Sequence, residues 1–269
     1  MSTRHGPREE VRYRRRHVGT TDYFTSRYGH GDASMMVYRF GCTGERNGPD
    51  FVLVHGIGVS ARSYGPTSAA LAEHGDVYLV DLPGYGRSPR PDADMSIPDH
   101  ARVVADFLVD RQLDHPVVVG HSMGTQVVVE LAADFPELLD HIVLIAPVLV
   151  PDARTLSRAA RLLARNGLRE PPQVTVMAIN DYLFRAGVGY MIQQTPHLLG
   201  MQMEQLTSRV TAKTLVICGE QDPIVPLEWG RELASSFAQG SFVTVPRPHA
   251  AMFAAPELIA GHIDRHAHL

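Results

Sequence analysis

The chain has 269 residues, 25 of them basic and 29 acidic, for a formal net charge of −4, with 44% hydrophobic and 20% charged residues. That composition supports one large globular domain, or a core with one inserted subdomain, and excludes a disordered, collagen-like or coiled-coil chain. A mildly acidic balance lacks the positive field that nucleic-acid binding needs, and apolar runs such as 142–150 fall far short of the ~20 residues of a membrane-spanning helix.

The N-terminus carries Arg4, Arg8, Arg12, Arg14, Arg15 and Arg16 against only Glu9 and Glu10, with no apolar segment behind them. It reads as a solvated arm, within a region 1–34 that leads into the first strand. Without the apolar stretch of a secretory signal, a cytoplasmic location is expected. Cys42 and Cys218 are too few for a disulfide framework or a zinc site, and receive no role.

Strands are expected at 35–40, 51–55, 77–81, 117–120, 142–145, 214–218 and 241–245, with helix-like segments between them from Phe51 onward. Most are nearly unbroken Val, Ile and Leu, as in strands buried on both faces of a parallel sheet, whereas 35–40 suits an antiparallel leading strand. The class is α/β: a mostly parallel central sheet with helices on both faces. Segments 35–148 and 214–269 form its core. The connection 149–213 is too long for an ordinary loop and reads as an inserted helical cap, broken by Pro171, Pro172 and Pro196.

The sharpest motif is Gly120-His121-Ser122-Met123-Gly124, a G-x-S-x-G pentapeptide that follows a strand and opens a helix. A reversal that tight strains the serine backbone, and glycines on either side remove side chains that collide. It lifts the Ser122 hydroxyl above the strand end and points a helix N-terminus at it. A serine needs a base to take its proton, and the base needs a third group to hold its tautomer. Asp222, in the loop after strand 214–218, and His249, after strand 241–245, fill those places at the carboxyl ends of strands, where parallel sheets bind ligands.

With His55-Gly56-Ile57-Gly58, Asp81-Leu82-Pro83-Gly84-Tyr85-Gly86-Arg87-Ser88, Gly120 to Gly124, Gly219 to Pro226, and His249 followed by Pro256-Glu257, the chain resembles α/β-hydrolase-fold enzymes of the lidded serine esterase and C–C bond hydrolase type from about Met35 onward. The resemblance implies a Ser122, Asp222, His249 triad that cleaves a carboxylic ester through an acyl-enzyme. It places the oxyanion hole at the backbone N–H groups of Ile57 and Met123. Diketone C–C bond hydrolysis, a perhydrolase or triad lyase reaction, and a non-catalytic receptor are the alternatives on this scaffold. A small-molecule substrate is implied, with no cofactor or metal, and homo-oligomers are compatible with it. Two departures stand out: Pro248 where the family usually has Gly, and Ala254 where it often has Glu.

Rival assignments follow from the same residues. His121 adjoins Ser122, but neighbours on a strained turn point apart, which assigns it to shaping the site. His55 anchors the oxyanion loop, and Asp81 ties down the loop that it begins. Asp152 is the alternative acid. His262, His266 and His268 with Asp264 suit a solvated helix end better than a metal site. Met177, Met191, Met201 and Met203 serve a pocket or cap packing equally well. Arg185 and His197 are the cap side chains suited to a substrate carboxylate.

Overall fold

The computed structural model describes residues 14–18, 21–44, 48–148, 150–151 and 154–269. Asp152 lies outside them. The apolar runs become β4 (Phe51–Val54), β5 (Val77–Asp81), β6 (Val117–His121), β7 (His141–Ile145), β8 (Lys213–Gly219) and β9 (Gly240–Val245), and 33–40 becomes β3 (Ala33–Phe40). All pairs from β5 through β4, β6, β7 and β8 to β9 are parallel, and β3 runs antiparallel to β5, as its polar flanks suggest. Every residue of β4 and β6 is buried, which follows from helices covering both faces.

The covering helices are α1 (Gly65–Leu71), α2 (Ile97–Asp110) and α3 (Met123–Asp134), then α7 (Leu227–Ser236), a short α8 (Ala251–Ala254) and α9 (Pro256–Ala267). They pack pairwise, α2 beside α3 and α1 beside α9. α2 shows why such segments are helical. Ser96 caps it reciprocally with Asp99, and Ile97, Ala101, Val104, Ala105 and Leu108 bury one stripe against the sheet.

The N-terminal region departs from expectation. Arg14 to Arg16 belong to β1 (Arg14–Val18), which pairs antiparallel with β2 (Thr21–His30), and β2 pairs in turn with β3. Among the described residues the sheet therefore has nine strands, in the order β1-β2-β3-β5-β4-β6-β7-β8-β9. An edge strand needs only one neighbour to satisfy its backbone hydrogen bonds, so a run of charged residues does not force the segment out as a loose arm. β2 has a signal of its own in the aromatic and β-branched residues Tyr23, Phe24, Thr25 and Tyr28, before a turn at Gly31 with φ +54°.

Between β7 and β8 lie α4 (Leu156–Gly167), α5 (Pro172–Asn180), a π-helical turn at Asp181–Ala186, and α6 (Val188–Gly200). Pro196 does not break this segment but sits inside α6, whose last turn is held from the core where Gln126 Nε2 donates to the Leu198 carbonyl at 2.9 Å. Met177, Met191 and Met203 are buried and Met201 is half-buried against the core, so all four take part in packing, and Met191 does so facing Gly58.

Buried polar contacts tie the inserted helices down. Tyr190 donates its hydroxyl to the Pro83 carbonyl (2.9 Å), and Gln194 donates to the Met95 carbonyl (3.1 Å). Gln194 also faces His100 Nε2 at 3.2 Å, and the Asp181 carboxylate takes the Ser60 hydroxyl at 2.5 Å and pairs with Arg62 and Arg185. Each group would be costly if left alone in the interior.

His100 is fully buried, and that burial pushes its pKa down to about 4; His121 is lowered for the same reason. The unfolded chain binds protons near pH 6.5 that the native imidazoles refuse, so stability falls as pH drops from about 6.5 toward 4. His100 alone accounts for at most roughly 3 kcal/mol of this. Urea titrations at pH 7 and pH 5 are expected to show the loss, with a smaller difference for His100→Gln; an unchanged difference in that variant removes His100 as the cause.

Candidate active site

The strand-to-helix turn at Ser122 is as tight as the motif implies. Ser122 has φ +54° and ψ −121°, and α3 starts at the next residue. A Cβ on Gly120 would run into the Gly124 carbonyl, and one on Gly124 into the carbonyls of Val54 and His55, so both positions need glycine. The strained backbone costs on the order of 1–3 kcal/mol and persists because its surroundings over-determine it. Ser122 N–H donates to the Ile145 carbonyl at 3.0 Å, and Thr125 Oγ1 donates to the Ser122 carbonyl at 2.6 Å. Met123, first residue of α3, has an N–H that no carbonyl of its own helix can reach.

The loops after β8 and β9 run side by side. Glu220 N–H donates to the Val245 carbonyl at 2.9 Å and Gln221 N–H to the Arg247 carbonyl at 3.2 Å. This brings Asp222 Oδ2 to 2.7 Å from His249 Nδ1, with the Asp222 side chain fully buried. Asp222 Oδ1 accepts from Ile224 N–H (2.7 Å) and Val225 N–H (3.3 Å), which aims the second oxygen at the imidazole. His249 Nδ1 therefore carries a proton, and Nε2 is the nitrogen left to act as a base. Pro248 and Ala254, where the family has other residues, leave this pair intact. Burial pulls the His249 pKa down, but the Asp222 carboxylate, and behind it that of Glu170, outweigh burial and leave it raised.

The elbow and the histidine loop meet through His121. Its Nε2 lies 3.1 Å from the His249 carbonyl oxygen, which only an N–H can satisfy, and the two rings stand 4.8 Å apart. Burial, and next the charge of His249, lower the His121 pKa, so His121 is neutral and structural. Among the described residues the Ser122 hydroxyl makes no hydrogen bond to His249; such bonds are often long without substrate and tighten in the Michaelis complex.

The His55 to Gly58 loop closes over the serine. A Cβ on Gly56 would stand 2.9 Å from the Ser122 Cβ, so the backbone leading to the Ile57 N–H passes beside the Ser122 side chain. Buried His55 sets this loop: its Nε2 accepts from Leu82 N–H (3.1 Å), leaving Nδ1–H to donate to the Gly56 carbonyl (2.7 Å). Asp81 holds the neighbouring loop. Its carboxylate accepts from Ala61 N–H (2.7 Å), Arg87 N–H (2.8 Å) and the Tyr38 hydroxyl (2.7 Å), which leaves it no part in proton transfer. Tyr182 and Met191 of the inserted helices reach Gly58.

Other candidates have partners elsewhere. Arg185 pairs with Asp181 at 3.0 Å and His197 with Asp94 at 2.8 Å, so neither is free to meet a substrate carboxylate. His266 Nε2 faces the Lys213 carbonyl, His262 faces Arg265 and His268 faces Asp264. Among the described residues no group of three or more His, Cys, Asp or Glu is placed to hold a metal ion, and no helix is long and apolar enough to cross a membrane. Two acids escaped sequence reasoning. Asp181 and Glu170 belong to no motif, and their only signal is an isolated acid in an Arg-rich, apolar segment.

Known proteins resemble this chain in sequence and in fold. The model of the alpha/beta hydrolase family matches residues 51–262. Esterase YbfF of Escherichia coli is 28% identical over 216 residues, covering 72% of this chain and 83% of that protein. A pimeloyl-[acyl-carrier protein] methyl ester esterase of Chromobacterium violaceum is 29% identical over 252 residues, covering 82% of this chain and 96% of the other. An uncharacterized protein of Mycobacterium tuberculosis is 35% identical over 100 residues, and there the chain spans 29% of the relative's length. The enol-lactonase of Burkholderia xenovorans superposes with a TM-score of 0.75 at 21% identity, over 88% of this chain and 97% of that one. The strand order, the serine turn and the family match over most of the chain lead to one conclusion: the protein belongs to the alpha/beta hydrolase family and is an enzyme of that fold.

Proposed function

We propose that the protein is a serine esterase whose nucleophile is Ser122, whose base is His249 and whose acid is Asp222, with the inserted helices 149–213 acting as a cap over the site. The observation that carries this reading is the buried Asp222–His249 bond of 2.7 Å, at the same strand-end edge as the strained Ser122 turn. Relatives named as esterases over most of their length support an ester substrate.

In this mechanism His249 Nε2 takes the Ser122 proton as the oxygen attacks the ester carbonyl, and Asp222 stabilises the imidazolium. The N–H groups of Ile57 and Met123 hold the oxyanion. Preorganised donors of this kind are worth roughly 3–4 kcal/mol each in the transition state. The alcohol leaves with the proton from His249, and water then repeats the sequence on the acyl-enzyme. Side chains and backbone N–H groups supply every step. With Arg185 and His197 already paired, and Tyr182 and Met191 set against Gly58, next to Ile57, an uncharged acyl group suits the site better than an acidic one.

Ser122→Ala is expected to abolish p-nitrophenyl butyrate turnover and labelling by a fluorophosphonate probe; retention of both would remove Ser122 as nucleophile. Asp222→Asn is expected to lower kcat by on the order of 10⁴, since the wrong tautomer is then held. A loss of less than tenfold would relocate the acid. Because the base must be neutral and its pKa is raised, the acidic limb of kcat/KM is expected above pH 6.5. A limb below that value contradicts His249 as base.

A further inference from the structure

Two consecutive residues of the inserted segment grip the two loops that carry the acid and the base. Arg169 Nη1 donates to the carbonyl of Gln221, the residue before Asp222, at 3.1 Å. Glu170 Oε1 accepts from the N–H of Ala250, the residue after His249, at 2.8 Å. Glu170 is itself buried, at 8% exposure; its other oxygen, Oε2, is also buried and makes no well-aligned hydrogen bond, with the Asn166 side chain its neutral neighbour. A half-satisfied buried carboxylate is costly to fold, and a purely structural role would favour an amide or an apolar side chain there.

We propose that Glu170 is a positioning residue of the catalytic centre, the carboxylate through which the cap holds the His249 loop and places a second negative charge behind the imidazole. This rests on the serine-esterase reading and extends it. One consequence is mechanical: with Arg169 on the acid loop and Glu170 on the histidine loop, seating of the cap sets the placement of Asp222 against His249. The other is electrostatic. The charged and titratable groups facing His249 are Asp222 from the loop after β8, His121 from the end of β6, and Glu170 from the cap. His121 is buried and neutral, so burial, which lowers the imidazole's basicity, is opposed by the two carboxylates, Asp222 first and Glu170 second. Burial, first of all, and the nearby Asp222 charge raise the carboxyl pKa of Glu170, while the Ala250 N–H, the positive form of His249 and the Asn166 side chain oppose that rise. The imidazolium formed during turnover is thus a counter-charge for a buried carboxylate whose other partners, the Ala250 N–H and the Asn166 side chain, are neutral. A cap that lifts away takes this charge with it and leaves a weaker base behind, one less able to react without its lid.

The test compares Glu170→Gln and Glu170→Ala with the parent enzyme on p-nitrophenyl butyrate, and follows the His249 imidazole by NMR titration in a Ser122→Ala background. Glu170→Gln keeps the acceptor for Ala250 and loses the charge. It is expected to move both the acidic limb of kcat/KM and the imidazole titration to lower pH while changing kcat at alkaline pH by less than about threefold, within the cost of a retained contact. Glu170→Ala loses both functions and is expected to lower kcat by ~10- to 100-fold with KM little changed, as misplacement of a catalytic group does. If Glu170→Ala does not fold, the Gln variant decides alone. An unmoved limb and an unmoved imidazole titration in Glu170→Gln overturn the proposal and leave the triad standing, provided Ser122→Ala is inactive. An active Ser122→Ala overturns the esterase reading itself, and this proposal falls with it.

Discussion

A carboxylate buried against an imidazole at the edge of the sheet is the constraint on which the rest of the structure depends. Asp222 is wholly enclosed, and its ionised form is tolerable there because two backbone N–H groups and the His249 Nδ1–H converge on it. Those partners come from its own Asx-type turn and from the neighbouring loop, so the pair forms only if β8 and β9 are adjacent, parallel and in register. That register, Gly219 opposite Val245, delivers both loops to the same height.

Around that pair, close backbone approach and buried polar anchors do most of the positioning. The serine turn is held where carbonyls of β4 and the first turn of α3 leave room for no Cβ at Gly120 or Gly124. Asp81 gathers three donors from three separate segments and so fixes the loop beside the serine, while His55 ties the loop that leads to Ile57 to the end of β5. Hydrogen bonds of this sort add modestly to net stability, but each is expensive to leave unmade, and so they select one arrangement over its competitors. The inserted helices follow the same logic. Tyr190, Gln194, Asp181 and Glu170 reach down into the core from a segment that leaves Leu168, Val176 and Phe184 exposed on its outer side.

Much of this was legible in residue order. Unbroken apolar runs, Phe51-Val52-Leu53-Val54 and Val117-Val118-Val119, announce strands buried on both sides, and Gly120-His121-Ser122-Met123-Gly124 announces the turn between strand and helix, because both are local consequences of side-chain size and backbone freedom. Asp222 and His249 stood out by their place after apolar strands. The antiparallel extension was harder to read. β1 and β2 carry charge and few aliphatic residues, and an edge strand needs only a neighbour to satisfy its backbone, a neighbour that local pattern does not reveal. Pro196 misled in the opposite direction, since a proline that breaks an isolated helix is carried here by a helix end pinned to Gln126.

What the amino-acid order determined by itself is the set of elements and the chemistry available to them: strand, tight turn, helix, a hydroxyl, a carboxylate and an imidazole, each at a strand end. Periodicity and steric exclusion act over a few residues, so they are written in the chain. Tertiary structure alone decided which polar groups face one another: that His121 bonds the His249 carbonyl, that Arg185 and His197 are spent on Asp181 and Asp94, and that Glu170 takes the Ala250 N–H from 80 positions earlier in the chain. The reason is desolvation. A buried charge must find a partner wherever the fold brings one within reach, and that distance is measured through space, with no trace left in the spacing of residues along the chain.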